Sequence, residues 1–188
     1  SSGRGRLWGR TRWPSTSGCQ ALPSSKRETG DSVPQDAFVI GADGIGLTRL
    51  SPPGTTTAFV FGTHEAVSWS PDSNMVAIVL ANGPFWTDPS RSVHVVKSDG
   101  SGLTRIGPRG DIWDAIWSPD GRWIALTLAT KASAGLHELY LMHPDGSALH
   151  KLVSASDGLV STQPFWSRDS DQLLFKRFTS SPHVVDLW

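Results

Sequence analysis

Three short apolar runs recur in the latter part of the chain: Met75-Val-Ala-Ile-Val-Leu80, Trp123-Ile-Ala-Leu-Thr-Leu128 and Leu173-Leu-Phe175. Each follows a Trp-centred segment, namely Val67-Ser-Trp69-Ser-Pro-Asp72-Ser, Ile116-Trp117-Ser-Pro-Asp120-Gly121 and Phe165-Trp166-Ser-Arg-Asp169-Ser. The three Trp are 48 and 49 residues apart. Runs this short, rich in Val, Ile, Leu and Ala, predict strands buried on both faces rather than helices. A second element alternates with the first. It reads Val95-Val-Lys-Ser-Asp99-Gly100-Ser-Gly-Leu-Thr-Arg105-Ile106 and Leu141-Met-His-Pro-Asp145-Gly146-Ser-Ala-Leu-His-Lys151-Leu152, with an earlier copy at Phe38-Val-Ile-Gly-Ala-Asp43-Gly44-Ile-Gly-Leu-Thr-Arg49-Leu50.

Each half of the repeat predicts a β-hairpin. Pro71 fixes φ at a turn position, and Ser70 or Asp72 can bond nearby backbone N–H groups. Asp99-Gly100 and Asp145-Gly146 are hairpin turns in which Gly accepts positive φ. One unit then holds four antiparallel strands: a Trp strand, an apolar strand, a Val/Leu strand ending in Asp-Gly, and a Leu-Thr-Arg-Ile strand. Four strands in 40–50 residues is the pattern of a β-propeller blade. Trp69, Trp117 and Trp166 fit as gaskets between blades, since a large flat ring buries much area. Asp72, Asp120, Gly121 and Asp169 fit as turn formers. The expected fold is all-β.

Trp117-Ser-Pro-Asp-Gly-Arg-Trp-Ile-Ala-Leu126, followed by Leu139-Tyr-Leu-Met-His-Pro-Asp-Gly-Ser147, resembles the WD40-like repeat of TolB-type propellers. The resemblance covers residues 37 to about 188. It implies four-stranded antiparallel blades, about three and a quarter of them: a half at 37–50, complete blades at about 66–106 and 115–152, and part of another with Val184-Val-Asp-Leu-Trp188 as its third strand. Closed propellers use four to eight blades. The expectation is therefore an open or incomplete propeller, part of a longer one. The resemblance also implies a periplasmic or otherwise extracytoplasmic place and a protein partner of the peptidoglycan-associated lipoprotein type. No contact residue carries over, because only the blade consensus matches.

Charge and composition refine this picture. Lys+Arg and Asp+Glu both number 17, so no global field favours nucleic acid or acidic membranes. The balance is a sum of unlike parts. Residues 1–27 hold six basic residues and no acid, whereas residues 37–188 hold 11 basic and 14 acidic ones. Residues 1–36 are read as a disordered basic tail or sequence foreign to the domain, and residues 37–188 as the propeller blades. Gly and Pro together make 32 residues, which fits repeated tight turns. Cys19 is alone, which excludes an intrachain disulfide and a Cys-based zinc site. No apolar run is long enough to span a bilayer, and no signal peptide is visible in residues 1–36.

Catalytic patterns are weak. G-x-S-x-G and the P-loop do not occur. His137-Glu138 opens like H-E-x-x-H, but Leu141 occupies the second His position. His143 and His150 flank the Asp145-Gly146 turn without enough further ligands for a metal. Arg109-Gly110-Asp111 spells a cell-adhesion tripeptide, a three-letter match with little weight. The departure from the repeat is more informative. The insert Ala81-Asn-Gly-Pro-Phe85-Trp86-Thr-Asp88-Pro-Ser-Arg91 adds two aromatics, an acid and an Arg to a loop between the second and third strands. That composition belongs to interaction hot spots, and scaffolded loops carry binding residues. Phe85, Trp86, Asp88 and Arg91 are thus the candidate partner-binding residues. The expected function is a non-enzymatic scaffold for protein–protein interaction, without catalytic residue, metal or cofactor. The alternative is the substrate-gating propeller of a prolyl-oligopeptidase-like serine peptidase, whose catalytic domain would lie outside these residues.

Overall fold

The computed structural model describes residues 36–57, 66–81, 90–130, 133, 136–155, 159–179 and 185–187. These residues form antiparallel strands and no helix. β1 (Phe38–Val39) and β2 (Thr48–Arg49) make a first hairpin. β3 (Thr56–Thr57) and β4 (Val67–Trp69) lie along successive parts of β5 (Met75–Ala81). That strand pairs in turn with β6 (Arg91–Lys97), which pairs with the first half of β7 (Thr104–Trp117). The second half of β7 pairs with β8 (Ile124–Ala129), then come β9 (His137–Met142) and β10 (His150–Val153). A three-stranded sheet of β11 (Leu159–Trp166), β12 (Leu173–Thr179) and β13 (Val185–Leu187) follows.

One boundary differs from the sequence expectation. The repeat places the end of one unit at about residue 106 and the start of the next at about residue 115. Instead β7 runs unbroken through 14 residues and serves two units, as fourth strand of one and first strand of the next. Gly107 makes this possible. It takes φ of 70°, and a Cβ there would meet the Met142 sulfur at 2.8 Å. The ladder shifts register at this point, as expected of a bulge built on a left-handed glycine.

The apolar strands are two-faced, which decides how the sheets stack. Val76, Ile78, Leu80 and Val96 turn to one side, where Leu50, Ala37, Val39 and Leu103 meet them. Ala77, Val79, Val93, Val95 and Ile106 turn to the other, against Ile124, Leu126, Leu128, Tyr140 and Met142. All six residues of β8 are buried. Alternation within one strand therefore divides an apolar run between two joints, each joining consecutive units.

The Asp-Gly turns also touch the unit before them. Gly44, Gly100 and Gly146 take φ of 81°, 82° and 84°. A Cβ on Gly146 would meet the Gly107 nitrogen at 2.8 Å, and one on Gly100 the Arg49 oxygen at 3.1 Å, whereas one on Gly44 would meet nothing within 4 Å. Replacing each by Ala separates two effects. Gly44→Ala should lower unfolding stability by about 1 kcal/mol, the strain of positive φ alone. Gly146→Ala should cost about 2–4 kcal/mol, because backbone collision in the joint adds to that strain. Urea titrations of the two variants check the order.

Candidate functional site

Two ends of the sheets can be compared. At one end lie the Trp-Ser-Pro-Asp turns and the Asp-Gly turns. In the first type, Ser118 Oγ donates to Asp120 Oδ1 at 2.6 Å and accepts from the Trp123 N–H at 2.9 Å. Ser70 with Asp72, and Ser167 with Asp169, repeat this arrangement with Met75 N–H and Gln172 N–H as donors. In the second type, the Asp43, Asp99 and Asp145 carboxylates accept the N–H of Ile45, Ser101 and Ser147 at 2.8–2.9 Å. These acids close turns with hydrogen bonds of one geometry in each copy.

His143 and His150 both lie against Trp123 at this end. The His143 ring stacks on it with centroids 4.3 Å apart, and the His150 ring meets it edge-on at 5.4 Å. A groove of about 440 Å³ opens beside them, walled by Trp123, Leu141 and Leu152 on one side and Trp166, Leu173 and Phe175 on the other. Its walls belong to consecutive units.

At the opposite end, the roots of two loops are tied together. Arg91 begins β6 and is 4% exposed. Its guanidinium donates to Asp111 Oδ1 at 2.6 Å and to the Ile112 carbonyl at 3.2 Å. The same Asp111 oxygen accepts Trp113 Nε1–H at 3.1 Å, and Asp111 Oδ2 lies 3.5 Å from His137 Nε2. The His137 and Trp113 rings pack with centroids 3.5 Å apart. Burial pushes the Asp111 carboxyl up, but His137, Arg91 and Trp113 outweigh it and hold it below the ordinary carboxylate value. Beside this cluster, buried Glu138 accepts from Tyr140 OH, Lys151 Nζ and the Ala155 N–H. Burial raises its carboxyl as well, and those donors hold it low.

The partner-binding candidates divide between these observations and the undescribed part of the insert. Phe85, Trp86 and Asp88 lie outside the described residues. Arg91, expected on the loop surface beside them, is turned inward because Asp111 and the Ile112 carbonyl satisfy its charge inside the fold. Its place is at the anchor of the loop. Asp111, the acid of the Arg-Gly-Asp tripeptide, is engaged in the same cluster. Sequence reading missed this cluster, although one signal was available: residues 91 and 137 occupy the same repeat position, eight before Asp99 and Asp145. Among the described residues, no three His, Cys, Asp or Glu side chains gather as a metal site. No helix among them is long and apolar enough to cross a membrane.

No family profile matches the sequence. Solved structures do resemble the chain. A TolB-type protein of Agrobacterium tumefaciens aligns with 77% of this chain and 46% of its own, at TM-score 0.57 and 17% identity. TolB of Acinetobacter baumannii aligns with 78% and 35%, at TM-score 0.54 and 14% identity. An oligogalacturonate lyase solved with manganese aligns with 79% and 43%, at TM-score 0.59 and 13% identity. The fold is that of the TolB-like β-propellers. The chain spans less than half the length of each of these neighbours.

Within TolB-like blades the recurrent Trp have different surroundings. Trp166 donates through Nε1 to the Ile116 carbonyl of the preceding blade at 3.2 Å, and Trp117 packs on the core joint. Trp69 is 47% exposed. The turn positions after Asp are equivalent too. Ser73, Gly121 and Ser170 take φ of 60°, 76° and 65°, and Ser170 Oγ accepts the Asp120 N–H of the neighbouring turn.

Acid should loosen the turns of these blades. Hydrogen bonds from Ser118 and the Arg122 N–H hold the Asp120 carboxyl at about 2, against an ordinary value of 3.8. Asp72, Asp99, Asp145 and Asp169 are lowered by Ser70, Ser101, Ser147 and Ser167. A carboxyl held low when folded binds protons more tightly when unfolded. Its stabilisation is complete above the unfolded value and is lost as pH falls through the folded one. Burial also lowers His94 below the ordinary histidine value, so urea midpoints should begin to decline below about pH 6.5 and should fall further between about pH 4 and 2, where these carboxyls take up protons. Asp120→Asn should be less stable at pH 7 and lose less on acidification.

Proposed function

We propose that the chain is a non-enzymatic TolB-like propeller scaffold that binds a protein partner through the loop between β5 and β6. In this reading residues 37–188 form about three and a quarter blades and residues 1–36 are a tail outside them. The blades serve outside the cytoplasm, as the resemblance to TolB implies. The observation that carries the reading is the anchor of the loop. Arg91, itself buried, closes the insert with a partly buried ion pair to Asp111, in a cluster that includes Trp113 and His137. An anchored root fixes the end of the sheets at which the insert, with Phe85 and Trp86, is presented to a partner. The recurrent acids support the same reading, since Asp72, Asp99, Asp120, Asp145 and Asp169 are occupied in turn hydrogen bonds.

The test uses a soluble peptidoglycan-associated lipoprotein domain as the probe. Phe85→Ala and Trp86→Ala should each weaken its binding at least tenfold in calorimetry, the scale of an interface hot spot, with an unchanged melting temperature. Unchanged affinity with lost thermal stability would show instead that the loop folds onto its own blade. The likeness to an oligogalacturonate lyase favours one competing reading, a lyase. Oligogalacturonate incubated with the chain should remain uncleaved, and turnover would overturn the scaffold reading.

A further inference from the structure

Two units of the repeat carry an ion pair across their outer hairpin, and the unit between them has lost its acid. Seven residues before the Asp of the Asp-Gly turn stands Asp36 in the first unit and Glu138 in the third. Six residues after that Asp stands Arg49 in the first and Lys151 in the third. Arg49 Nη2 meets Asp36 Oδ1 at 2.6 Å, and Lys151 Nζ meets Glu138 Oε2 at 2.8 Å. Each carboxylate takes a further donor, the Ser51 hydroxyl for Asp36 and the Tyr140 hydroxyl for Glu138. The second unit keeps the cation as Arg105 but holds Ser92 in place of the acid. It also adds Arg109, where the other two have Pro53 and Ala155. Acid and cation cancel at these positions in the first and third units, whereas two Arg and no acid leave the second at +2.

The ladder gathers these groups on one face. In the pairing of β6 with β7, Ser92 lies opposite Arg109 and His94 opposite Arg105. Opposed residues share a face, and Ser92 and His94 are two apart on the strand without the bulge. The bulge at Gly107-Pro108 takes β7 four residues on while β6 advances two, so the two Arg flank neighbouring rungs. His94 Nδ1 donates to the Ser92 carbonyl at 3.2 Å, which leaves Nε2 for a further bond. Burial first, and then the charges of Arg105 and Arg109, hold the His94 imidazole below its ordinary value, so both cations act on one ring. Arg105 and Arg109 are exposed, and among the described residues neither has a carboxylate partner. Asp111, two residues beyond Arg109, is taken by Arg91, whose side chain alternates with Ser92 to the opposite face.

We propose that this face of the second unit binds an acidic segment of a protein partner, with two side-chain carboxylates taken by Arg105 and Arg109 beside Ser92 and His94. The neighbouring units supply the chemistry, since at this place each sets one carboxylate against its cation. Two cations call for two carboxylates, and adjacent acidic residues of one segment provide them. A guanidinium offers parallel N–H donors that match the two oxygens of a carboxylate. Phosphate matches the charge but not the planar acceptor that the other two units hold. The site also adjoins the root of the β5–β6 loop, because Arg91 and Ser92 open β6 and pair with Gly110 and Arg109. The inference rests on the scaffold reading for the partner being a protein, whereas the chemistry of the site uses neither Phe85 nor Trp86.

Titration of the 188-residue chain with N-acetyl-Glu-Glu-amide, followed through the His94 imidazole protons by NMR, tests it. Those signals are assigned by their loss in His94→Gln, and they report this face rather than the basic residues 1–27. A saturable shift is expected. Arg105→Gln and Arg109→Gln, both at exposed positions, should each weaken it about threefold, the scale of one exposed charge pair. Ser92→Asp should abolish it, by giving Arg105 the acid that Arg49 has in the first unit. Phe85→Ala and Trp86→Ala should leave it unaltered, which separates failure of this site from failure of the loop reading. N-acetyl-Gln-Gln-amide and inorganic phosphate are the comparisons. The proposal is overturned by no saturable shift with the Glu peptide, or by an equal shift with the Gln peptide. An undiminished response in Ser92→Asp or in both Arg variants, or a response to phosphate alone, would overturn it too.

Discussion

A sheet with two apolar faces cannot remain alone in water, and the rest of this fold follows from that constraint. In β5 and β8 successive side chains point to opposite sides, and both sides are buried. At about 25 cal/mol per Å² of apolar surface removed from water, burial between neighbours stabilises each unit beyond its own ladder. Units of this kind form an array in which each stabilises the next. The loops and turns are then free to vary at the ends of the sheets.

Apolar contact alone would let such units slide, and directional bonds across the joints fix their register. Ser68 Oγ donates to the Ala115 carbonyl and accepts the Trp117 N–H, tying β4 to the first strand of the following unit. Asp114, fully buried, accepts Thr127 Oγ1–H within its own unit and the Gln163 N–H from the next. Ser170 and Trp166 bond back to the preceding unit in the same way. A buried polar group without a partner costs roughly 1–3 kcal/mol, so a shift of register that broke these bonds would be penalised at each joint. At the loop end, the Arg91–Asp111 pair performs the equivalent task in a partly solvated setting, with Trp113 and His137 packed around it.

Much of the fold was legible because turn chemistry is local. Ser-Pro-Asp-Gly at residues 118–121 and Asp-Gly at 99–100 announce hairpins from a few consecutive residues, and the spacing of Trp69, Trp117 and Trp166 announces the repeat. The continuity of β7 was not legible, because Gly107-Pro108 has the composition of a break and the lack of room for a side chain at Gly107 comes from Met142, 35 residues away. The position of Arg91 was hidden for the same reason. Within its own loop it reads as an exposed cation, and only the fold brings Asp111 to it. The aromatic content of the insert remains the part of the candidate site that is read from sequence, whereas its anchor is read from structure.

Mutual burial of neighbouring units is the central claim, and amide hydrogen exchange tests it strand by strand. The account predicts slowest exchange in β5, β6, β8 and β9, whose units are covered on both faces, and earlier exchange in β1, β2 and β12, whose units are covered on one. Equal protection across all of these strands, or greatest protection in β12, would contradict it.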